Sequence, residues 1–392
     1  MTAETVRTFC NSLENEVIAF TQELVRIKSY THDEEEIVKC ISRKMISLGY
    51  DEIILDDFGN VAGRIGNGDT TILFDSHCDT VAVNDPEEWI TDPFGGEIID
   101  GKIYGRGSVD MKGAIAATIY AGYAIKELSL DEGKTIYVSC SILEEDLEGE
   151  ALLYLCEKKS INPDFAVICE PSSLKLALGH RGRAMLTINT EGVSAHGSSP
   201  ELGDNAIYKA QSIIGRIEKL QSKLSADNKA GSVTLSRIES RAVSLNAVPD
   251  HCKLYLDRRL EMGETEETVA KEMDALLKET EAQWDIFDIT DKTWTGKSVS
   301  CKAFFLPWEL KNDHPLTRAS IEAFNDATGK DATLFKWNFS TNGFATASKL
   351  GIPTIGLGPG DPALAHCRDE HCEISEIVEA MKFYTSLVKR VQ

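Results

Sequence analysis

The feature that most constrains this chain is a series of segments that carry potential metal ligands at a regular spacing. Phe74-Asp75-Ser76-His77-Cys78-Asp79-Thr80-Val81, Gly105-Arg106-Gly107-Ser108-Val109-Asp110-Met111-Lys112-Gly113 and Leu143-Glu144-Glu145-Asp146 follow one another at intervals of about 30 residues, the pitch of a βα repeat. In a parallel α/β sheet the strand ends line up along one edge, and functional sites sit there. A hydrolase with two metal ions is the expectation this pattern raises.

Short apolar runs of β character occupy 53–55, 71–74, 135–139 and 165–168, with helical patterns at 111–127 and 148–159 between the later ones. Ahead of them, 14–27 carries Val17, Phe20, Leu24 and Ile27 at helical spacing, and 33–48 carries Ile37, Val38, Ile41 and Met45. This alternation predicts an α/β fold with a mainly parallel sheet flanked by helices. Near Leu178 the order changes to strand (183–190), helix (204–220), strand (232–238), strand (242–260) and helix (265–284), which predicts a smaller α+β domain. A helix at 315–328, a buried strand at 354–356 and a closing helix at 375–391 resume the first pattern. The 392 residues suffice for two cores. The expected division is a first domain of 1–179 and 293–392, interrupted by an inserted domain of 180–292.

The 63 acidic against 41 basic residues give a formal net charge of −22. That field repels nucleic acid and anionic membrane surfaces, so a small molecule is the expected partner. No stretch reaches the roughly 20 apolar residues of a membrane span, and the charged, amphipathic start lacks the apolar core of a signal peptide. Ten cysteines lie scattered without CxxC pairs, the pattern of reduced thiols in a cytoplasmic protein.

Each candidate ligand also has a plainer reading. His77 and Asp79, two apart in extended chain, point to one face. A carboxylate so placed can accept the second N–H of a ligand imidazole, or the pair can be a satisfied core histidine at a strand end. Asp110, in a glycine-rich turn before a helix, can ligate a metal or simply cap the helix. Lys112 is followed by Gly113, so this turn lacks the GK[ST] ending of a phosphate loop. Glu144 and Glu145 end an extended run. On opposite faces, one can hold a metal while the other reaches its water, or both can join Asp146 and Glu148 in an exposed acidic turn. Glu170 ends another apolar run before Pro171. Their joint appearance at successive strand ends favours the metal reading.

Taken in order, these residues resemble the M20 metallopeptidase family, which includes aminoacylases, acetylornithine and succinyl-diaminopimelate deacylases, and glutamate-releasing carboxypeptidases. The HxDTV, GRGxxDMKG and EE segments with Glu170-Pro171 carry the likeness, which covers essentially the whole chain. His180-Arg181-Gly182-Arg183, His196-Gly197-Ser198, Gly203-Asp204-Asn205-Ala206 and Phe339-Ser340-Thr341-Asn342-Gly343 are similar to a branch of selenium-metabolism-linked hydrolases. The resemblance implies a zinc-exopeptidase-like fold with an inserted lid and dimerisation domain. It implies that His77 binds one zinc, that Asp110 bridges two, and that Glu145 and Glu170 are terminal ligands. His366 supplies the other imidazole, with His371 as the runner-up. Asp79 becomes the residue that orients His77, and Glu144 the general base.

From the inserted domain, the resemblance implies that His196 reaches a neighbouring subunit's active site and polarises the scissile carbonyl. A homodimer joined through the lids follows. Asn246 becomes a substrate contact, and Arg259 the clamp for a substrate carboxylate, with Arg258 as the fallback; a guanidinium offers two parallel N–H groups for that task. Cys78, Cys169 and Cys367 adjoin implied ligands as small buried neighbours. Gly343 departs from the pattern, since many deacylases of the family carry an aspartate in that segment.

Two imidazoles and three carboxylates suit two Zn2+ ions, and Co2+ or Mn2+ suit the same donors. The expected reaction is hydrolysis of an amide C–N bond in a small N-acylated amino acid or dipeptide. Glu144 would take a proton from the attacking water and return it to the leaving amine. A ureido (N-carbamoyl) amidohydrolase and a non-catalytic metal-binding relative are the competing readings. A serine hydrolase is disfavoured, because Gly192-Val193-Ser194-Ala195-His196 lacks the closing glycine of a nucleophile elbow.

Overall fold

The computed structural model describes residues 1–227 and 231–391. Among them a nine-stranded sheet runs in the order Glu52–Leu55, Val61–Gly66, Lys134–Ser141, Thr70–His77, Phe165–Ile168, Thr354–Gly356, Leu176–His180 and Trp308–Glu309, with Leu334–Trp337 also paired to Leu176–His180. The inner strands Lys134–Ser141, Thr70–His77, Phe165–Ile168 and Thr354–Gly356 are mutually parallel. Antiparallel pairs close the sheet towards its edges. Register matters for function: His77 pairs with Ser141, and Asp75 with Ile168. Three strands therefore end together, and the residues just beyond them emerge at one edge.

Gly113–Glu127 is buried almost all round, because it lies between the sheet and the outer helices Glu14–Arg26 and Ile374–Arg390. Among the described residues, no helix is long and apolar enough to cross a membrane. All ten cysteines are free.

The second sheet is antiparallel, in the order Ser232–Arg241, His251–Leu260, Gly182–Glu191 and Gln283–Ile286, with Phe304–Phe305 added beside Gly182–Glu191. Along His251–Leu260, Cys252, Leu254, Leu256, Arg258 and Leu260 are buried, the period of two that a one-sided sheet imposes. Helices Ala206–Ser225 and Glu266–Leu276 cover that face through Ile213, Ile217, Val269 and Met273, forming a separate core.

Two expected elements are shorter than their patterns. The 242–260 strand begins only at His251, because Pro249 cannot donate to a ladder and its carbonyl instead accepts the Ala206 N–H at the start of a helix. The 265–284 helix stops at Leu276. The Thr280 hydroxyl donates to Leu277 O at 2.7 Å, and Gln283–Ile286 joins the sheet.

His180 sits where the chain passes from the first sheet to the second, and it is only 2 % exposed. Its Nδ1 accepts the Thr341 N–H at 2.9 Å while Nε2–H donates to Leu306 O at 3.2 Å, so the imidazole is neutral. Burial holds its pKa down at about 3, against an ordinary value of 6.5. Between those values the unfolded chain binds a proton that the folded chain refuses, so this stability is complete above 6.5 and is lost as pH falls. The loss should reach about 2 kcal/mol by pH 5. Thermal melts of wild type and His180→Asn at pH 7 and pH 5 check this: the variant should show the smaller drop in Tm.

Candidate active site

The five implied ligands come from five separate segments and meet at the common strand edge. His77 ends Thr70–His77, and its Nε2 lies 2.9 Å from Asp110 Oδ1 and 3.6 Å from Glu170 Oε1. His366, in a loop after Pro362–Leu364, has its Nε2 3.2 Å from Asp110 Oδ2 and 3.0 Å from Glu145 Oε2. One Asp110 oxygen thus contacts the His77 ring, which also meets Glu170, and the other contacts the His366 ring, which also meets Glu145; His77, Asp110 and Glu145 each also bring one ligand atom within 4.8 Å of the others. Glu144 groups with His77 and Glu170, with one ligand atom from each within 4.8 Å of the others. His371 is elsewhere, its ring over Tyr104 and its Nδ1 2.8 Å from Asp369 O.

The expected placement of Glu144 and Glu145 on opposite faces of extended chain does not hold. The strand ends at Ser141, and Leu143 has a φ of 58°, so the chain turns and both carboxylates line one cleft. Four successive amides in this turn are each caught by a distant side chain. Ile142 N–H donates to Asn60 Oδ1 at 3.0 Å, Leu143 to Glu34 Oε1 at 3.2 Å, Glu144 to Asp79 Oδ1 at 3.1 Å and Glu145 to Asp79 Oδ2 at 3.2 Å. The Asp79 carboxylate is therefore chiefly a clamp on this turn. It lies 3.5 Å from His77 Nδ1, whereas the Asp79 backbone O lies at 3.0 Å and takes the Nδ1–H. That bond leaves the His77 Nε2 lone pair facing the cleft.

Glu34, Glu370 and Arg106 belong to the site although the sequence pattern did not single them out. Glu34 is fully buried beside Asp79, and both effects raise its pKa to about 8. Glu370 Oε1 accepts the Val109 and Asp110 N–H groups, and its other oxygen pairs with Arg106, whose Nη2 also reaches His366 O at 3.3 Å. The Arg106–Glu370 pair thus braces the Asp110 turn against the His366 loop. The Asp-Glu pair after His366 was the available signal for Glu370. For Glu34 there was none, because its partner is 109 residues away. Glu34→Ala should speed amide exchange in the 142–145 turn and cost about 10–100-fold in metal affinity or activity, as loss of an outer partner does. Glu34→Gln, which keeps an acceptor, should behave as wild type in hydrogen-exchange mass spectrometry.

The electrostatics describe a centre rich in negative charge. Burial and neighbouring carboxylates raise Glu170 to about 8 and Glu145 to about 7, and burial together with Glu170 pushes Glu144 well up. Burial opposes a charged Asp110, yet His366 and His77 hold its pKa low. The Asp110 and Glu145 carboxylates push His366 up to about 10. Glu144 Oε1 and Glu145 Oε1 are buried without hydrogen-bond partners. Two imidazoles, three carboxylates and these orphaned oxygens fit a pair of borderline divalent ions.

The cleft has a volume of about 330 Å³ and is walled on the far side by the second sheet through Arg183 and Arg259. Arg259 faces it, half-buried and paired with Asp257 at 2.7 Å. The fallback Arg258 points the opposite way, 1 % exposed and held by Glu264 and Glu272 of the helix side. His196 and Asn246 are exposed and do not line this chain's cleft. The two lie together, since Gly197 N–H donates to Asn246 O at 2.6 Å. Cys78 and Cys169 are buried as expected, but Cys367 is exposed because its loop runs over the cleft rim. Gly343 has no room for a side chain: a Cβ there would lie 2.3 Å from Trp308 Nε1. Lys112 is buried and donates to Ile27 O at 2.7 Å, tying the Asp110 turn to the end of Glu14–Arg26.

Residues 73–390 match the family model described as peptidase family M20/M25/M40. The chain belongs to this family. It is a hydrolase of the peptidase or deacylase type, with candidate metal ligands at the strand ends. It is 36% identical over 372 residues to the uncharacterized protein YgeY of Escherichia coli (strain K12), covering 94% of this chain and 92% of the relative. It is 30% identical over 336 residues to an acetylornithine deacetylase of Buchnera aphidicola subsp. Schizaphis graminum, covering 84% and 83%. The M20 fold is shared with the di-peptidase Dug1p of Saccharomyces cerevisiae, at a TM-score of 0.76 and 16% identity over 99% of this chain and 98% of that one. It is also shared with Bacillus subtilis YXEP, a dinuclear metal binding peptidase, at a TM-score of 0.68 and 15% identity over 97% and 98%.

Proposed function

We propose that this M20 chain is a dinuclear, zinc-dependent amidohydrolase that cleaves an amide C–N bond of a small N-acylated amino acid or dipeptide. The observation that carries the reading is the position of Asp110 between the two imidazoles, with one oxygen on His77, beside which Glu170 lies, and the other on His366, beside which Glu145 lies. In this reading His77, Asp110 and Glu170 hold one ion, and Asp110, Glu145 and His366 the other. Bound there, two divalent ions would polarise the scissile carbonyl and lower the pKa of a captured water. Glu144 takes that water's proton and passes it to the leaving amine. Its unpartnered Oε1 and its raised proton affinity, from burial and the Glu170 charge, suit a group that must both accept and return a proton. Asp79 and Glu34 keep the Glu144 turn in place, and Arg259 supplies the guanidinium for a substrate carboxylate.

The 180–292 segment serves as the lid in this reading, and His196 and Asn246 act in the cleft of a second copy. Support comes from exposed apolar residues near them in the chain, Val193, Leu202, Val243 and Leu245 on the connecting segments and Tyr208 in the first turn of Ala206–Ser225. Such a patch favours burial against another chain. Light scattering should give a dimer mass.

The experiment for the activity is metal analysis followed by a panel of N-acyl, dipeptide and N-carbamoyl amino acids. Turnover of an N-acyl or dipeptide member, abolished by chelator and restored by Zn2+, is expected. Cleavage confined to N-carbamoyl members would transfer the assignment to ureido hydrolysis. Bound metal without turnover of any member would favour a non-catalytic relative.

A further inference from the structure

The metal centre leaves one cleft-lining carboxylate unused. Asp110, Glu145 and Glu170 serve as ligands and Glu144 as base, so Glu148 remains. It is 5 % exposed, and its Oε1 accepts from Arg183 Nη1 at 2.7 Å. Its Oε2 is buried with no donor at all. Ser340 Oγ, 7 % exposed in the wall of the same cleft, is also without a partner. Buried polar atoms in this condition normally meet a donor or a ligand.

The positive groups nearby are already balanced within the chain. Arg183 pairs with Glu148, and its Nε lies 3.4 Å from Asp257 Oδ2, an ion-pair distance at which this buried N–H makes no hydrogen bond. Arg259 contacts both Asp257 oxygens, at 2.7 and 3.0 Å. Two guanidiniums thus face two carboxylates. A substrate carboxylate entering here adds a negative charge without a counterpart unless the substrate also brings a positive one, and an uncompensated charge in a shielded cleft is costly. An ammonium group supplies that charge. It carries three N–H donors and no acceptor, which matches a lone carboxylate oxygen and a free hydroxyl in the walls of one cleft.

We propose that Glu148 is a specificity residue that selects substrates bearing a primary ammonium group as well as a carboxylate. This rests on the amide-hydrolase reading of the cleft. The ammonium has two possible sources, the free N-terminus of a dipeptide or the side-chain amine of a diamino acid, and two matched pairs of probes separate them. Glycyl-L-leucine and N-acetyl-L-leucine differ only in the N-terminal ammonium. Nα-acetyl-L-ornithine and Nα-acetyl-L-norvaline differ only in the side-chain ammonium.

Calorimetric titration of zinc-loaded Glu144→Gln protein with all four probes makes the test. The ammonium-bearing member of at least one pair should bind about tenfold or more tightly, as expected of a charge-assisted hydrogen bond. The pair that shows the preference identifies the source. Adding Glu148→Gln should abolish the preference while the member lacking that ammonium still binds, at least as tightly as before because Arg183 loses a counter-charge; its retained binding also shows that the cleft is intact. Absence of preference in both pairs, absence of all binding, or a preference that survives Glu148→Gln would overturn the proposal. Metal content, measured in parallel, reads the amide-hydrolase assignment separately: a protein that holds no zinc yet loses the preference with Glu148→Gln supports this inference and not that assignment.

Discussion

Glu144→Gln should lower kcat by about 10²–10⁴-fold, the range that a positioned general base contributes. The change is isosteric, and the N–H bond from residue 144 to Asp79 is a backbone contact, so the turn should be kept. Glu144 is not one of the groups that divide the Asp110 oxygens, so metal content should remain at the wild-type level. KM should move little, because the lost group acts on the water and the leaving amine. Steady-state kinetics on the substrate found in the panel, with metal analysis of the same preparation, check the prediction. Wild-type turnover in this variant would remove Glu144 from the mechanism.

Asp110→Ala should abolish tight metal binding altogether, a larger effect than loss of any other single ligand. Asp110 reaches both imidazoles, His77 through Oδ1 and His366 through Oδ2. Its removal leaves the His77–Glu170 and His366–Glu145 pairs without the carboxylate that contacts both imidazoles, so both affinities should fall together. The loss should exceed the roughly 10–100-fold that removal of an outer-shell partner costs. Competition with a chromogenic chelator, reading two sites in wild type against the variant, measures it. Retention of both ions at wild-type affinity would show that Asp110 does not bridge.

The ligand candidates were legible because His77, Glu145 and Glu170 stand at the ends of apolar runs and Asp110 stands in a glycine-rich turn before a helix. The βα spacing and residue types marked His77, Asp110, the Glu144-Glu145 pair and Glu170 as candidates, and the family resemblance assigned their roles and separated His366 from His371. The structure agrees on where these side chains lie, since parallel pairing of Lys134–Ser141, Thr70–His77 and Phe165–Ile168 brings their ends level. The pattern failed where a local rule was overridden at long range. Glu144 and Glu145 were expected to diverge as in a strand, but Asn60, Glu34 and Asp79 draw the four amides of 142–145 into a turn. Adjacent Arg258 and Arg259 could not be distinguished by type. The pleat separates them, sending Arg258 under a helix and Arg259 into the cleft.

By itself, the order of residues determined which atoms can bind metal, the α/β alternation that sets them at strand ends, and the presence of a second, differently patterned unit. These properties are local: hydrophobic period, turn chemistry and ligand type are written within a few residues of one another. Only the tertiary structure decided that the Asp110 oxygens face opposite partners, that Glu34 and Glu370 brace the turns around them, and that Glu148 is left with a buried oxygen free. Those facts depend on strand register and on contacts between residues far apart in the chain, and no local pattern encodes them.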